Sequence, residues 1–365
     1  MTFKHNIKIA EPDITNLETE YVMKALKNNE LSYMGSYVND FENKFANFCE
    51  VSHASACMNG TVALHLALIG ANVSHGDEVI VPALTYVSTA NAVVHAGAKP
   101  VFADVHANHW GINPEEVIKK ITPNTKAIIA VHLYGHPADM DPLLKICKEK
   151  KITLIEDAAE AHGARYKGKR VGSIGDIGTF SFFANKIMTT GEGGMITCDD
   201  QETIDRIKVY TNHGNDPHKR YHHQVIGYNY RMTNLQAAIG CAQIERANEL
   251  LKKKKDIATQ YREGLQNLPL SMQPFMEWAD PVNWMNCLVL GDTAISRSDL
   301  EDGLNKCGID TRPFFVPIPN LEIYNDPESY PVAESLSSRG INIPSSTLLE
   351  KKEIDYIIQS IKNLF

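Results

Sequence analysis

The sequence contains no long hydrophobic run. No stretch approaches the roughly 18 uncharged, mostly apolar residues by which a membrane-spanning helix is recognised. The N-terminal segment MTFKHNIKIAEPDITNLETE also has no apolar core flanked by positive charge, so it is unlike a secretory signal. We therefore expect a cytoplasmic protein without a membrane partner.

Positive charge is not in excess either. The chain has 36 Lys and Arg against 44 Asp and Glu, a net charge of −8, and its pI is about 6.0. This balance creates no general field that attracts a phosphate backbone, so we expect no nucleic-acid partner. An anionic ligand would need a local pocket.

Cysteine is sparse and unpatterned. The seven cysteines lie singly along the chain without C-x-x-C spacing, which is typical of a reducing compartment. His218 and His222 have helical i, i+4 spacing and His223 follows, but we expect no acidic or cysteine ligand beside them. The sequence therefore predicts no metal, and a solvated or phosphate-facing loop around these histidines.

What the sequence does contain is an alternation of strand-like and helical segments. A first helix is predicted over Asp13–Asn29, and from Asn59 to about Gly240 short apolar runs alternate with helical patterns. This order implies right-handed crossovers between parallel strands. We predict a doubly wound α/β fold with a mainly parallel sheet, whose strands include EVIVPA, KPVFADV, KAIIAV and ITLIED.

The length predicts two domains, because a single core seldom grows beyond about 250–300 residues. One long connecting helix is predicted over 233–265, with its KKKK segment on a solvated face. Beyond it come a strand, CLVL, and a helix capped by Ser298 and Glu301 in S-x-x-E spacing. We predict a large α/β domain over 1–245 and a small α+β domain over 246–365.

Lys186 is the first candidate for chemistry. It lies between an aromatic strand and a glycine-rich loop in FSFFANKIMTTGEGGM, among side chains that can desolvate it. Burial disfavours the charged form and so lowers the pKa of a lysine from about 10.4, which makes a neutral amine available for Schiff-base formation. A lysine that points to solvent is the simpler alternative.

Two further elements could complete a cofactor site. Asp157 lies at the carboxyl end of an apolar strand, where open α/β sheets bind ligands, although it could instead cap a helix. Asn59, Gly60 and Thr61 open an apolar helix whose free N–H groups favour a phosphate, although Asn-Gly is often only a turn. Together with the lysine, these elements suit pyridoxal 5′-phosphate (PLP), which has a phosphate, a ring nitrogen and an aldehyde.

With these residues the sequence resembles the fold-type I, aspartate-aminotransferase-like PLP enzymes, and among them the DegT/DnrJ/EryC1/StrS nucleotide-sugar aminotransferases. The resemblance covers nearly the whole chain and implies the fold-type I large domain followed by a smaller α+β domain. Its motifs are NGTVALHLAL, GDEVIVPALTYVSTANAV, HLYGHPADM, IEDAAEAHGA, GDIGTFSFFANK, TTGEGGM, GYNYRMTNLQAAIG and TRPFF.

The resemblance implies roles for single residues. Lys186 would be the catalytic residue and hold PLP as a Schiff base, Asp157 would pair with the ring nitrogen, and Glu160 would reach the ring hydroxyl. Tyr86 would stack on the ring face. The phosphate would be held by Gly60, Thr61 and Ser181, and by Asn229 from the second subunit of a homodimer with shared active sites.

The same resemblance implies transfer of an amino group from L-glutamate to a nucleotide-linked 4-keto-6-deoxy sugar. Glu160 is typical of the subgroup that aminates GDP-4-keto-6-deoxy-D-mannose to GDP-perosamine for O-antigen synthesis, whereas many relatives have Gln. Segments 31–34, 283–290 and 316–319 depart from that subgroup. The substrate contacts expected are Tyr33, Arg231 and Arg312.

Several alternatives stay open. The acceptor could be UDP- or dTDP-4-keto-6-deoxyglucose, because a few hydrogen bonds discriminate between sugar epimers. A PLP-dependent sugar dehydratase of this family would have histidine in place of Lys186, and an inactive paralogue would be expected to lose Lys186 or Asp157. A PLP-binding regulatory protein would have an additional basic domain. A nicotinamide-dependent dehydrogenase would have G-x-G-x-x-G after its first strand, and none is present.

Overall fold

The fold is built from two main sheets flanked by helices. The computed structural model describes residues 6–365. The strands are β1 His53–Cys57, β2 Glu78–Pro82, β3 Lys99–Ala103, β4 Thr125–Val131, β5 Thr153–Asp157, β6 Arg165–Tyr166, β7 Lys169–Arg170, β8 Ile177–Ser181, β9 Gly194–Cys198, β10 Leu270–Met272, β11 Ala279–Asp280, β12 Asn286–Leu290, β13 Arg312–Pro313 and β14 Gly340–Ile343.

The large sheet has seven strands in the order β1-β9-β8-β5-β4-β2-β3. Strand β9 is antiparallel to both of its neighbours, and the other four pairs are parallel. The predicted mainly parallel sheet and its four predicted strands, now β2 to β5, are confirmed. Residues Ile128 and Ile129 face opposite sides of β4 and both are fully buried, because helices cover both faces of the sheet.

The helices occupy most of the remaining chain. They are α1 Asn16–Lys27, α2 Ser36–Cys49, α3 Gly60–Gly70, α4 Ser88–His95, α5 Pro114–Lys120, α6 Met140–Lys150, α7 Gln201–Thr211, α8 Asn234–Glu245, α9 Ala247–Leu265, α10 Arg297–Lys306, α11 Pro331–Arg339 and α12 Lys351–Lys362. Within residues 6–365, none of them is both long and apolar enough to cross a membrane.

The first helix begins later than predicted. Thr15 is its N-cap and forms a capping box with Glu18, so the helix starts at Asn16 rather than at Asp13. Asp13 lies outside the helix and accepts a hydrogen bond from the guanidinium of Arg246 at 2.6 Å. Asp13 therefore links the segment before α1 to the junction of α8 and α9.

The predicted long connecting helix is interrupted at Arg246. This residue has φ −93° and ψ 1°, and it separates α8 from α9. Its guanidinium is held by Asp13 and, at 2.9 Å, by Glu18, so the break is fixed by ion pairs to the N-terminal segment. The prediction of one continuous helix over 233–265 was wrong because these partners are distant in sequence.

The KKKK segment was also interpreted wrongly in one position. Lys254 is only 3% exposed, and its ammonium donates hydrogen bonds to the carbonyl oxygens of Trp284 at 2.9 Å and Ser345 at 2.5 Å. Its neighbours Lys252 and Lys255 are exposed, as predicted. Burial lowers the pKa of Lys254 to about 7.

The smaller sheet has four antiparallel strands in the order β10-β12-β14-β13. The predicted strand CLVL is β12, whereas the helix that follows is capped by Ser296 and Asp299 rather than by Ser298 and Glu301. A separate apolar core lies on this sheet and includes Leu288. The division of the chain at 245 and 246 stays a prediction.

Candidate active site

A cavity of about 580 Å³ opens at the carboxyl ends of β5 and β8. This edge carries ligands in open α/β folds, because the loops that follow parallel strands meet there. Seven of the predicted site residues line the cavity: Gly60, Thr61, Tyr86, Asp157, Glu160, Ser181 and Lys186. These residues come from five different segments of the chain, so the fold brings together what the sequence spreads over more than a hundred positions.

Lys186 lines the cavity, in the loop after β8. Its side chain is 11% exposed, and its Nζ lies 3.9 Å from Oε1 of Glu160. Burial lowers the pKa of Lys186, while the carboxyl groups of Glu160 and Asp157 act in the opposite direction. The expected solvent-facing alternative is therefore excluded, and the amine can exist in its neutral, nucleophilic form.

Asp157 ends β5 and directs its carboxylate into the cavity. Oδ2 accepts a hydrogen bond from the Thr89 hydroxyl at 2.9 Å, and Oδ1 accepts one from the Ala159 N–H at 3.2 Å. Burial nevertheless raises the pKa of Asp157, because these two donors do not replace the water that the carboxylate has lost. A cationic group bound in the cavity would therefore stabilise the ionised form of Asp157.

Glu160 is held one turn further along the chain. Its Oε2 accepts the backbone N–H of Tyr134 at 2.7 Å, and burial raises its pKa to about 7. Tyr134 has φ 56°, a left-handed conformation that is unfavourable for a bulky residue. This conformation directs its N–H toward the carboxylate, so local strain is used to fix Glu160.

The opposite end of the cavity is formed by the start of α3. The side chain of Asn59 caps this helix by accepting the N–H of Val62 at 2.9 Å, which leaves the first-turn N–H groups of Gly60 and Thr61 without helical acceptors. A Cβ atom at Gly60 would lie 2.7 Å from Cβ of Ser181. Only glycine allows this approach, which brings the helix terminus and the Ser181 hydroxyl to one anion-binding position.

Aromatic rings, among them Tyr86, Trp284 and Phe315, form much of the remaining wall. Tyr86 and Phe315 lie 5.6 Å apart between ring centroids, and the ring of Trp284 lies 3.9 Å from Nζ of Lys186. Sequence reasoning missed Trp284, Phe315 and the hydroxyl of Thr89. Trp284 lies in NWMNCLVL, which was interpreted only as a departure from relatives, and Phe315 lies in TRPFF, which was interpreted only as a family motif.

The other predicted residues lie outside this cavity. Arg231 stacks on Tyr33, with 4.0 Å between its guanidinium carbon and the ring centroid, and donates to Oδ1 of Asn229 at 2.8 Å. Arg312 is exposed and pairs with Asp310. The structure therefore gathers Tyr33, Asn229 and Arg231 into a second cluster and leaves Arg312 apart, and their functional roles stay predictions.

The histidine-rich loop has an acidic neighbour that the sequence interpretation overlooked. Asp216 accepts the backbone N–H of His218 at 2.8 Å, and its Oδ2 lies 3.5 Å from Nδ1 of His222. In the part of the chain that the structure describes, no group of three or more His, Cys, Asp or Glu side chains is arranged to hold a metal ion.

The cavity fits PLP in three independent respects. The buried carboxylate of Asp157 suits a protonated ring nitrogen, the close contact at Gly60 builds a phosphate seat, and Lys186 presents a buried amine to an aldehyde. A ligand that occupies all three positions must combine a phosphate, a ring nitrogen that can be protonated and an aldehyde, as PLP does.

Comparison with known proteins agrees with this geometry. The DegT/DnrJ/EryC1/StrS aminotransferase family matches residues 12–362. The chain is 44% identical over 362 residues to GDP-perosamine synthase of Escherichia coli O157:H7, with 98% of both chains covered. It is 34% identical over 352 residues to dTDP-3-amino-3,4,6-trideoxy-alpha-D-glucose transaminase of Streptomyces venezuelae, with 94% and 91% covered. The PLP form of Spr1654 from Streptococcus pneumoniae has a TM-score of 0.93 at 29% identity, over 99% of this chain and 98% of that chain.

Proposed function

Because the chain belongs to the DegT/DnrJ/EryC1/StrS aminotransferase family, we propose that it transfers the amino group of L-glutamate to carbon 4 of GDP-4-keto-6-deoxy-D-mannose, giving GDP-perosamine. Its class is PLP-dependent transaminase. The observation that supports the chemistry most directly is the buried amine of Lys186 between Glu160 and Trp284.

Different residues of the cavity would bind different groups of the cofactor. Gly60, Thr61 and Ser181 would hold the phosphate, Asp157 would hold the ring nitrogen, and the Lys186 amine would hold the aldehyde carbon. When bound, PLP supplies an aldehyde that accepts the amino group and a ring that withdraws electrons from the reacting carbon.

The proton transfers are assigned to Lys186. In the first half-reaction Nζ of Lys186 would take a proton from the alpha carbon of glutamate, and in the second half-reaction it would give a proton to carbon 4 of the sugar. Burial of Lys186 favours the neutral amine that the first of these steps needs. The ring of Trp284, 3.9 Å from Nζ, shields the amine from water on that side.

Glu160 and Asp157 would bind different groups of the cofactor, the ring hydroxyl and the ring nitrogen. Glu160 can hold or release a proton near neutral pH because burial raises its pKa to about 7. Asp157, supported by the Thr89 hydroxyl, supplies the negative charge that keeps a ring nitrogen protonated. Burial raises the pKa of both carboxyl groups, and a protonated ring nitrogen beside Asp157 would favour its ionised form.

The choice of sugar is supported by similarity to the GDP-perosamine synthase named above, which exceeds the similarity to the dTDP-sugar transaminase. The test is a comparison of kcat/KM for GDP-4-keto-6-deoxy-D-mannose and for UDP- and dTDP-4-keto-6-deoxyglucose, with glutamate as donor. We expect the GDP sugar to be preferred. A tenfold or greater preference for a UDP or dTDP sugar, about 1.4 kcal/mol in transition-state binding, would overturn the sugar assignment and leave the transaminase chemistry intact.

A homodimer with shared sites is part of the proposal. Asn229 is exposed and lies outside the cavity of its own chain, in the cluster with Tyr33 and Arg231, where a second subunit could receive it. Mixing inactive Lys186→Ala protein with an inactive Asn229→Ala protein should restore activity, because a hybrid dimer contains one intact site. Absence of rescue after demonstrated subunit exchange would show that each site is built from one chain.

A further inference from the structure

Trp284 is fixed at both its side chain and its main chain. Its indole Nε1–H donates to the carbonyl oxygen of Asn185 at 2.8 Å, directly before the Schiff-base lysine in the chain. Its own carbonyl oxygen accepts the ammonium of Lys254 at 2.9 Å. Trp284 is 5% exposed, so the ring has little freedom to move.

The face of this ring meets the amine of Lys186. Nζ lies 3.9 Å from the ring centroid, well within the distance of about 6 Å at which an ammonium is attracted by an aromatic ring. Oε1 of Glu160 lies 3.9 Å from the same Nζ. The amine is therefore held between an aromatic face and a carboxyl group.

Lys254 extends this arrangement into α9. A buried lysine normally pairs with a carboxylate, whereas this one binds two carbonyl oxygens, those of Trp284 and Ser345. Ser345 in turn is joined to the backbone of Ile9. The carbonyl of Trp284 thus has a fixed position relative to α9 and the segment after β14.

We propose that Trp284 is a positioning residue that holds the amine of Lys186 beside Glu160 whenever the amine is not bonded to the cofactor, and that Lys254 holds Trp284 in place. This inference rests on the proposed transaminase chemistry, in which Lys186 is released and must return, but it does not depend on the identity of the sugar. The ring gives the released amine a defined location between the two half-reactions.

A pH-dependent measurement can detect this role. The titratable groups around the amine are Asp157, Glu160 and His162, and burial lowers the pKa of His162 to about 3, so this histidine is neutral at ordinary pH. The aromatic face attracts the ammonium more than the amine and therefore raises the pKa of Lys186. Loss of the ring should make Lys186 release its proton at lower pH.

The assay uses the apoprotein and PLP alone. The neutral amine of Lys186 attacks the PLP aldehyde, a C=N bond forms and one water molecule leaves, and the absorbance change gives the capture rate. In Trp284→Leu, the midpoint of the capture rate against pH should fall by about half to one pH unit, and the high-pH plateau rate should also fall because the amine is no longer held. Trp284→Phe keeps an aromatic face and should lie between wild type and Trp284→Leu.

Controls separate positioning from general damage. Trp278→Leu removes an indole that packs on Tyr166 and His136, away from the cavity, and should leave the midpoint unchanged. Lys254→Met should also lower the pH midpoint of the capture rate, but by less than Trp284→Leu does. If Trp284→Leu does not fold, the pH midpoint and the plateau of the PLP capture rate in Trp284→Phe and Lys254→Met test the positioning role instead.

The outcomes are distinguishable from failure of the proposed function. Wild-type midpoint and plateau in folded Trp284→Leu, or in both remaining variants, would overturn the positioning role alone. Lys186→Ala should capture no PLP covalently, as tested by borohydride reduction. Covalent capture by that variant would instead overturn the assignment of Lys186, and with it the proposed function.

Discussion

Thr89→Val removes one hydrogen bond from the carboxylate that would hold the cofactor ring. The Thr89 hydroxyl donates to Oδ2 of Asp157 at 2.9 Å, and both side chains are buried. Valine has nearly the same shape but no hydroxyl. A hydrogen bond to a charged group contributes about 1.5–3 kcal/mol, and because this bond also stabilises the protein without PLP, the Kd for PLP should rise by at most roughly 10- to 150-fold.

The effect should also depend on pH. Burial raises the pKa of Asp157, and the Thr89 hydroxyl acts against this rise. Without that hydroxyl the pKa rises further, so the carboxyl group becomes neutral at a higher pH and loses its attraction for a ring cation. The loss of PLP affinity in Thr89→Val should therefore grow as the pH falls.

The assay is titration of dialysed apoprotein with PLP, followed by absorbance at several pH values. Thr85→Val is the matched control, because the Thr85 hydroxyl lies 3.5 Å from the Thr89 hydroxyl rather than against the carboxylate. This control should lose much less affinity. A Thr89→Val protein that binds PLP as tightly as Thr85→Val at every pH would refute the reasoning.

Lys186→Ala should give a folded protein without covalently bound PLP and without transaminase activity; retained turnover would contradict the central assignment. Gly60→Ala should weaken PLP binding and cost about 1–3 kcal/mol of stability, because the new Cβ would lie 2.7 Å from Cβ of Ser181; unchanged PLP affinity would argue against the phosphate seat. Glu160→Gln should stabilise the apoprotein increasingly as the pH rises from about 4.5 to 7, the interval between the ordinary pKa of Glu160 and its raised value. The reason is that ionisation of the buried carboxyl group destabilises the wild-type protein in this interval. A difference in thermal midpoint between the two proteins that does not change with pH would contradict this.

Local patterns in the sequence were sufficient for the sheet and for the centre of the site. Strands β2 to β5 are continuous apolar runs because parallel strands are buried on both faces, and the intervening helices have their own periodicity. Asp157 could be identified because it ends such a strand, and Lys186 because it lies between the aromatic strand β8 and a glycine-rich loop. These features depend on residues that are close together in the chain.

Other features of the site depend on residues that are far apart in the chain. Thr89 donates a hydrogen bond to Asp157, and the ring of Trp284 covers the amine of Lys186. No local sequence pattern around these residues indicates that the two members of each pair are in contact. The aromatic wall likewise joins Tyr86 to Phe315. Only the tertiary structure decides which of many aromatic and hydroxyl side chains reaches the cavity.

Charge was the least reliable guide without the tertiary structure. By itself the sequence determined an alternating α/β fold with a helix N-terminus, a carboxylate and a lysine, the three groups that PLP needs. The KKKK segment predicted four solvated lysines, yet Lys254 is buried because the carbonyls of Trp284 and Ser345 lie beside it. The predicted continuous helix breaks at Arg246, where Asp13 and Glu18 hold its guanidinium. Burial and ion pairing depend on which groups the folded chain brings within hydrogen-bonding distance, and only the tertiary structure decides that.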